Sequence, residues 1–471
     1  MLAHWCRKMD FKKPIMPKKS IRYLLLFIAT LAGLLTSLNG YADLLWAMVI
    51  LLVCSLLLFV SHRLYNLANW IDPVIMFIVS YVTFVVVGII GTKWFNLDLH
   101  AATLIAVLLG LTVFLGGALF ADLLASPHRK LRLKRLVMVD YSYSQREFWW
   151  AWFFFLIGFF FLLIYYALVG TIPFLAENAE SLRVGAVGGL GYLLIAGFAF
   201  LNVSTTFLVG MNAKRRKAHF LLVAGGLLIT TSLLLVGVGY RMPAVRVMLS
   251  GFIVYHFIRY AHIPKRSLGI LILTLIILLG VAGFYRLYGQ FLQTPADIEF
   301  TLRRTIWSIF VRYLYVLDLV VRFFPEDHAY LYGSSYLISA QVLLPGTQQH
   351  FGYWLVEKMG LILSSPGPVD PTIVGEFYAN FGWVGIVLGM SLLGFVLRAS
   401  YRRLINSQTI TIARLIFISL ISTSIIGIAA SGVVLVLMFD LLPIIIVFAL
   451  YQLCVRLRVV KTAPRRKVAQ I

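Results

Sequence analysis

Arg241 and Arg246 flank Pro243 in the stretch Gly239-Tyr240-Arg241-Met242-Pro243-Ala244-Val245-Arg246. Proline suits the first position of a helix, so the spacing puts Arg246 in a first helical turn. The dipole is already positive there. Two guanidinium groups beside unpaired backbone N–H groups therefore concentrate positive potential at one point, which favours a phosphate or pyrophosphate. Arg241 could instead snorkel to lipid headgroups. Arg246 is harder to explain that way, because an ionisable group inside an apolar segment is costly and usually faces a polar cavity.

More arginines recur at helical spacing over residues 300–323, FTLRRTIWSIFVRYLYVLDLVVRF. Arg304, Ser308, Arg312, Tyr315, Asp318 and Arg322 share one stripe, opposite Ile306, Ile309, Phe310, Leu314, Leu317, Val320 and Val321. Such a helix could lie in a membrane interface with its arginines towards headgroups. It could equally roof a cavity and aim Arg304 and Arg312 at an anionic ligand. Both readings stand.

A third polar group breaks an apolar run. Glu376, Asn380 and Trp383 are spaced i, i+4, i+7, with Tyr378 between them. A carboxylate, an amide and an aromatic on one helix face can hold a sugar by hydrogen bonds and stacking. The alternative is a polar seam in which Glu376 pairs with an arginine of the bundle. His328 and His350 stand in the same long connector as the arginine stripe. His328 follows Glu326 and Asp327, which could orient it as a general base for a hydroxyl acceptor. Asp440 falls within the last apolar run, where a neighbour should satisfy it. Glu376 is the second candidate for the base.

What positions these residues is a series of apolar runs. Hydrophobic residues make up 61% of the 471 and charged residues 13%, with a mean hydropathy of +0.92. Only helices or closed barrels cross a hydrocarbon layer, and runs of about 20 apolar residues fit helices. The expected fold is an all-α polytopic transmembrane bundle of about twelve spans. These lie near 22–40, 43–60, 72–91, 101–123, 148–169, 189–211, 219–238, 243–260, 267–287, 371–396, 410–430 and 433–455. Lys and Arg fall about three to one on one side of that scheme, which puts both termini in the cytoplasm. The net charge of +23 is thus mainly a topology signal, and no nucleic-acid partner is expected. The chain divides into nine N-terminal spans (1–287), a long outer-face loop with its amphipathic helix (288–370), and three C-terminal spans with a basic tail (371–471). Gly385 and Gly389 form a small-xxx-small pair suited to close packing. Asp72-Pro73 and Asp370-Pro371 each look like an N-cap followed by a helix-starting proline.

Several chemistries are excluded. There is no P-loop, dinucleotide fingerprint or HExxH signature, and Cys6, Cys54 and Cys454 match neither a metal spacing nor a disulfide framework. No metal and no cofactor are expected, and neither ATP nor nucleotide sugars are expected as substrates.

Three of these stretches, in order, resemble elements of the Wzy-type polymerases of oligosaccharide repeat units, the O-antigen polymerases and their capsule and exopolysaccharide relatives. Gly239-Tyr240-Arg241 resembles the family's Gly-x-Arg element. Tyr332-Gly333-Ser334-Ser335-Tyr336, followed by Leu343-Leu344-Pro345-Gly346, resembles its Tyr-Gly-x-Ser-Tyr loop and proline turn. Gly375-Glu376-Phe377-Tyr378-Ala379-Asn380-Phe381-Gly382 resembles its Gly-Glu-x-Tyr-x-Asn-Phe-Gly element. The resemblance implies a GT-C-like glycosyltransferase in the bacterial inner membrane. It would move a growing glycan from undecaprenyl pyrophosphate onto a new lipid-linked repeat unit, as in lipopolysaccharide biosynthesis. Membrane lipids, a chain-length regulator and a flippase are the implied partners. In that scheme Arg241, Arg246, Arg304 and Arg312 receive the pyrophosphate, His328 or Glu376 is the base, and Tyr378, Asn380 and Trp383 hold the glycan. A ligase-like glycan transferase or a flippase for the same lipid-linked unit are the alternatives. A transporter would usually show two related halves, and no convincing half-to-half repeat is seen.

Overall fold

The computed structural model describes residues 72–95, 97–124, 139–140, 144–175, 179–215, 218–239, 241–259, 264, 266–275, 277, 278, 280, 303, 307, 311–341, 350–361, 368–405 and 410–456. The expected spans at 22–40 and 43–60, and Arg304, lie outside the described residues.

The chain is a helical membrane protein. Among the described residues the β structure is a two-residue parallel pair, β1 (Val139–Asp140) with β2 (Ile410–Thr411). Seven helices among the described residues are long and apolar enough to cross a membrane: Ala101–Leu124, Gln145–Val169, Leu190–Lys214, His219–Gly237, Thr372–Arg403, Ile412–Ser431 and Val433–Arg456. In chain order, α1 (Pro73–Tyr81) runs through a π-helical turn, Val82–Val86, into α2 (Val87–Trp94). There follow α3 (Ala101–Leu124), α4 (Gln145–Val169), α5 (Ala179–Lys214), α6 (Ala218–Gly237), α7 (Arg241–Arg259) and the apolar α8 (Arg266–Leu275).

Local chemistry sets several of these ends. Ser144 and Glu147 have the spacing of a capping box, and the Ser144 hydroxyl accepts the Glu147 N–H at 3.2 Å. Gly170, at φ 78°, closes α4 in the left-handed conformation that glycine tolerates. Asp72 caps α1 ahead of Pro73, accepting the Val74 N–H at 3.1 Å, as expected.

The connector from 288 to 370 is not a bare loop. It contains α9 (Arg312–Phe323), α10 (Ser334–Ala340) and α11 (Phe351–Lys358). The described part of the expected 300–323 helix is 312–323, and of its charged stripe Asp318 turns inwards while Tyr315 and Arg322 stay exposed. Asp318 is buried, where it accepts the His100 N–H at 2.8 Å and the Thr103 hydroxyl at 2.6 Å and pairs with Arg322 at 2.7 Å. Leu314, Leu317, Val320 and Val321 pack into the core with α3. Helix α9 is docked through its apolar face and Asp318, with Arg322 left at the surface.

Helix α12 (Thr372–Ile405) corrects a second expectation. Gly382 takes φ 61° and ψ −144°, a combination essentially reserved for glycine, and breaks the helix into two arms. The first arm, 372–381, is about 15 Å long at 1.5 Å per residue, half of the roughly 30 Å hydrocarbon core. The second arm, 383–405, is long enough to cross. Gly385 and Gly389 do mediate close packing, but against Phe377 of their own first arm. The close helix crossing is made instead by Gly117 and Gly394, where an added Cβ would overlap the Ser391 and Phe114 carbonyls of the opposing helix. The start of α12 also differs, because the Thr372 hydroxyl accepts the Gly375 N–H at 3.2 Å while Asp370 turns to Arg312.

The last elements are α13 (Ile412–Ser424), α14 (Ile426–Ser431), α15 (Val433–Val436), a π-helical turn Leu437–Leu441, and α16 (Leu442–Arg456). Gly432, at φ 89°, is the whole connection between the last two spans. Two apolar cores result: one gathers α4 to α7 with α13 and α16, the other α1 to α3 with α9, α12 and α14.

At the far end of α3 the fully buried Arg398 binds Asp122 through Nε and Nη2 at 2.9 and 3.0 Å and Asp72 through Nη1 at 2.9 Å. Arg402 adds a 2.8 Å contact to Asp122. Thr103 and Asp122 are 19 residues apart on α3, so this lock sits about 28 Å from the Asp318 cluster. It ties three helices together at the opposite end from the groups described next.

Candidate functional site

Breaking α12 at Gly382 leaves carbonyls at the end of its first arm without helical partners. The connector supplies them. The Leu331 and Tyr332 N–H groups donate to the Ala379 and Asn380 carbonyls, each at 2.9 Å. Asn380 completes the junction: its Oδ1 accepts the Gly333 N–H at 2.9 Å, and its Nδ2 donates to the Ser335 hydroxyl at 2.6 Å and the Glu376 carbonyl at 2.7 Å. Gly333 itself sits at φ 95°. Tyr330 covers the break so closely that a Cβ on Gly382 would come within 2.8 Å of its ring. The two motifs at 332–336 and 375–382 are therefore one structure, stitched by a fully satisfied buried amide. Asn380 is a scaffold for that junction rather than an open sugar ligand.

Glu376 is buried, and its Oε2 accepts the Val433 N–H at 2.6 Å. Val433 is the first residue after Gly432, so a side chain from one helix caps the N-terminus of another. Carboxylates are favoured at that positive end. A Cβ on Gly432 would lie 2.5 Å from Glu376 Oε2, which explains why the connection is glycine. The expected arginine partner for Glu376 is replaced by this backbone cap. Burial and the nearby Glu376 charge push the Tyr336 phenol up from its ordinary value.

Arg246 is 6% exposed and forms an ion pair with Asp440 on the π-helical turn. Gly427 stands against its Nη2, so that a Cβ there would overlap the guanidinium. Arg241, the first residue of α7, is half-exposed. Arg312 pairs with Asp370 at 2.7 Å. Arg246 and Arg312 lie on helices of different cores, and each pairs with its own carboxylate.

His328 joins an aromatic row. Its Nδ1 lies 2.7 Å from the Ala329 carbonyl, a contact that places a proton on Nδ1, so that in the neutral ring Nε2 is the acceptor. Neither Glu326 nor Asp327 makes that contact. From Trp354 the ring centroids run to His328 (5.2 Å), Phe324 (5.6 Å), Tyr330 (6.4 Å), Tyr378 (5.9 Å) and Trp383 (5.4 Å). The row links the expected base to two of the three expected glycan residues. Trp383 does not continue the helix face of Glu376 and Asn380, because Gly382 intervenes; its ring packs against Tyr378 of the first arm.

A family model described as "Putative O-antigen polymerase" matches residues 47–440. The chain belongs to the O-antigen polymerase family. No curated protein and no solved structure matches it. The matched stretch takes in the whole set from Arg241 to Asp440, so in this O-antigen polymerase family member the stitched junction, the capping glutamate and the buried arginine all fall inside the family region. Sequence reasoning met Ser335 only inside the 332–336 motif and missed Gly427 and Val433 as parts of the site. Gly432 carried a signal of its own, as part of the two-residue break between the apolar runs 410–430 and 433–455.

Proposed function

We propose that this chain polymerises undecaprenyl-pyrophosphate-linked oligosaccharide repeat units at the outer face of the bacterial cytoplasmic membrane. A hydroxyl oxygen of the incoming unit attacks the anomeric carbon of the growing glycan. The bond from that carbon to the diphosphate oxygen breaks, and the diphosphate leaves with the electron pair. The hydroxyl proton passes to a base. His328 Nε2 suits that role, because its tautomer leaves it a lone pair, whereas Glu376 is committed to the Val433 N–H. Arg246, with Arg241 at the same helix start, receives the developing negative charge; losing one such contact typically costs about 10²–10³ in rate. The row from Trp354 to Trp383 offers ring faces for sugars, and a GT-C-like bundle of about twelve spans with both termini in the cytoplasm frames the reaction.

The observation that carries this reading is the pairing of two buried polar groups on one short segment. Residues 427–440 hold Glu376 at Val433 and Arg246 at Gly427 and Asp440. Such groups inside an apolar bundle mark function by default. The test is the surface-glycan ladder of a strain lacking the gene, complemented with wild type or Arg246→Lys. Accumulation of single-repeat product supports the polymerase; disappearance of all surface glycan would point to a flippase, and an unchanged ladder would refute the assignment.

A further inference from the structure

Arg246 carries more hydrogen-bonding capacity than its surroundings use. Its Nη1 holds Asp440 Oδ1. Its Nε is buried and has no hydrogen-bond partner. Nε and Nη2 form the side edge of the guanidinium, the fork that takes two oxygens of a carboxylate or phosphate. A buried donor without a partner costs about 1–3 kcal/mol and calls for an explanation such as an absent ion. The glycine at 427 lets Nη2 lie close against the helix backbone, since any Cβ there would overlap it. Asp440 sits in a π-helical turn, a distortion that is frequent at functional sites.

We propose that Asp440 is a positioning residue for Arg246 that also limits how tightly the leaving diphosphate is held. This rests on the reading that Arg246 receives the diphosphate. The carboxylate fixes Nη1 and turns the Nε/Nη2 edge towards the incoming anion. Because the pair is neutral overall, a diphosphate meets a directional fork without a full uncompensated charge. Departure of the diphosphate restores the resting pair. A buried arginine alone would bind the product strongly and release it slowly.

The test uses the full chain in lipid nanodiscs, with inorganic pyrophosphate as probe and polymerisation of lipid-linked repeats as activity. Removing the counter-charge with Asp440→Asn should tighten pyrophosphate binding roughly tenfold, the scale of one charge a few ångströms away in a partly buried site. Turnover should fall while the acceptor KM stays put. Asp440→Glu, which keeps the charge, should return pyrophosphate affinity towards wild type. A purely structural Asp440 would give weaker or unchanged binding in D440N, and that outcome overturns the proposal. Asp440→Thr also removes the charge and provides a second comparison if D440N accumulates poorly. Arg246→Gln separates the two levels: unchanged pyrophosphate affinity there rejects the anion site itself, whereas weakened binding in R246Q with no tightening in D440N rejects only the role of Asp440.

Discussion

Asn380 donates to the Ser335 hydroxyl at 2.6 Å across 45 residues of sequence. That bond, with the one from Gly333, closes the connector onto a helix that glycine has broken. Buried side-chain amides that use both ends stabilise a single arrangement, and half-satisfied ones are costly.

Replacing Asn380 by Ala should therefore open the 331–335 stretch. Losing its bonds strands buried partners at about 1–3 kcal/mol each. Hydrogen exchange at Leu331, Tyr332 and Gly333 should quicken, and long glycan chains should disappear. Exchange at the wild-type rate would mean that the amide is not what holds the junction.

Gly382→Ala should be worse than an ordinary helix substitution. It asks a side-chain-bearing residue to adopt φ 61° and puts a Cβ 2.8 Å from Tyr330. The conformational strain alone is on the order of 1–3 kcal/mol. We expect loss of polymerisation with the protein still in the membrane, read from the ladder and an immunoblot together.

His328→Ala and Glu376→Gln divide base from cap. The amide oxygen of Gln can still accept the Val433 N–H, so E376Q should keep most of its activity. Removing a general base typically costs about 10²–10⁴ in rate, which is the loss expected of H328A with purified enzyme and lipid-linked repeats. The reverse ranking would hand the base role to Glu376.

His350 makes stability depend on pH. Its Nδ1 accepts the Gly352 N–H at 3.1 Å and caps α11, so the folded form needs it neutral. Burial lowers its pKa from 6.5 to about 4, with the Asp370 charge partly opposing that shift. The unfolded chain therefore takes up this proton first as pH falls. The stabilisation is complete above about pH 6.5 and fades as pH drops towards about 4. Thermal melting in nanodiscs at pH 7 and pH 5 should show it, and His350→Asn, which can cap without titrating, should lose less between the two.

Arg398→Ala probes the opposite end of the bundle. It leaves Asp72 and Asp122 buried with one partner fewer, and breaking a buried pair typically costs about 3–5 kcal/mol. The expected result is less protein in the membrane but an unaltered chain-length distribution from what remains. A changed distribution at normal protein level would assign that lock a part in chemistry.

The amino-acid sequence by itself determined the membrane helices, because run length and apolarity are local properties that a hydrocarbon layer reads directly. The helices Ala101–Leu124, Gln145–Val169 and Val433–Arg456 were legible to within a few residues, and the cap at Asp72 was legible from two adjacent residues. It also marked Arg246, Asn380 and Glu376 as costly interruptions. What each of them does was decided by partners far along the chain. Glu376 meets a backbone N–H 57 residues away, Arg246 meets Asp440, and Asp318 meets Thr103 215 residues earlier. Helical periodicity placed Trp383 beside Asn380, but a single glycine conformation at 382 cancelled that periodicity. Spacing along a helix predicts neighbours only while the helix continues. Which carboxylate neutralises which guanidinium depends on tertiary packing, since ion pairs are chosen by distance in space.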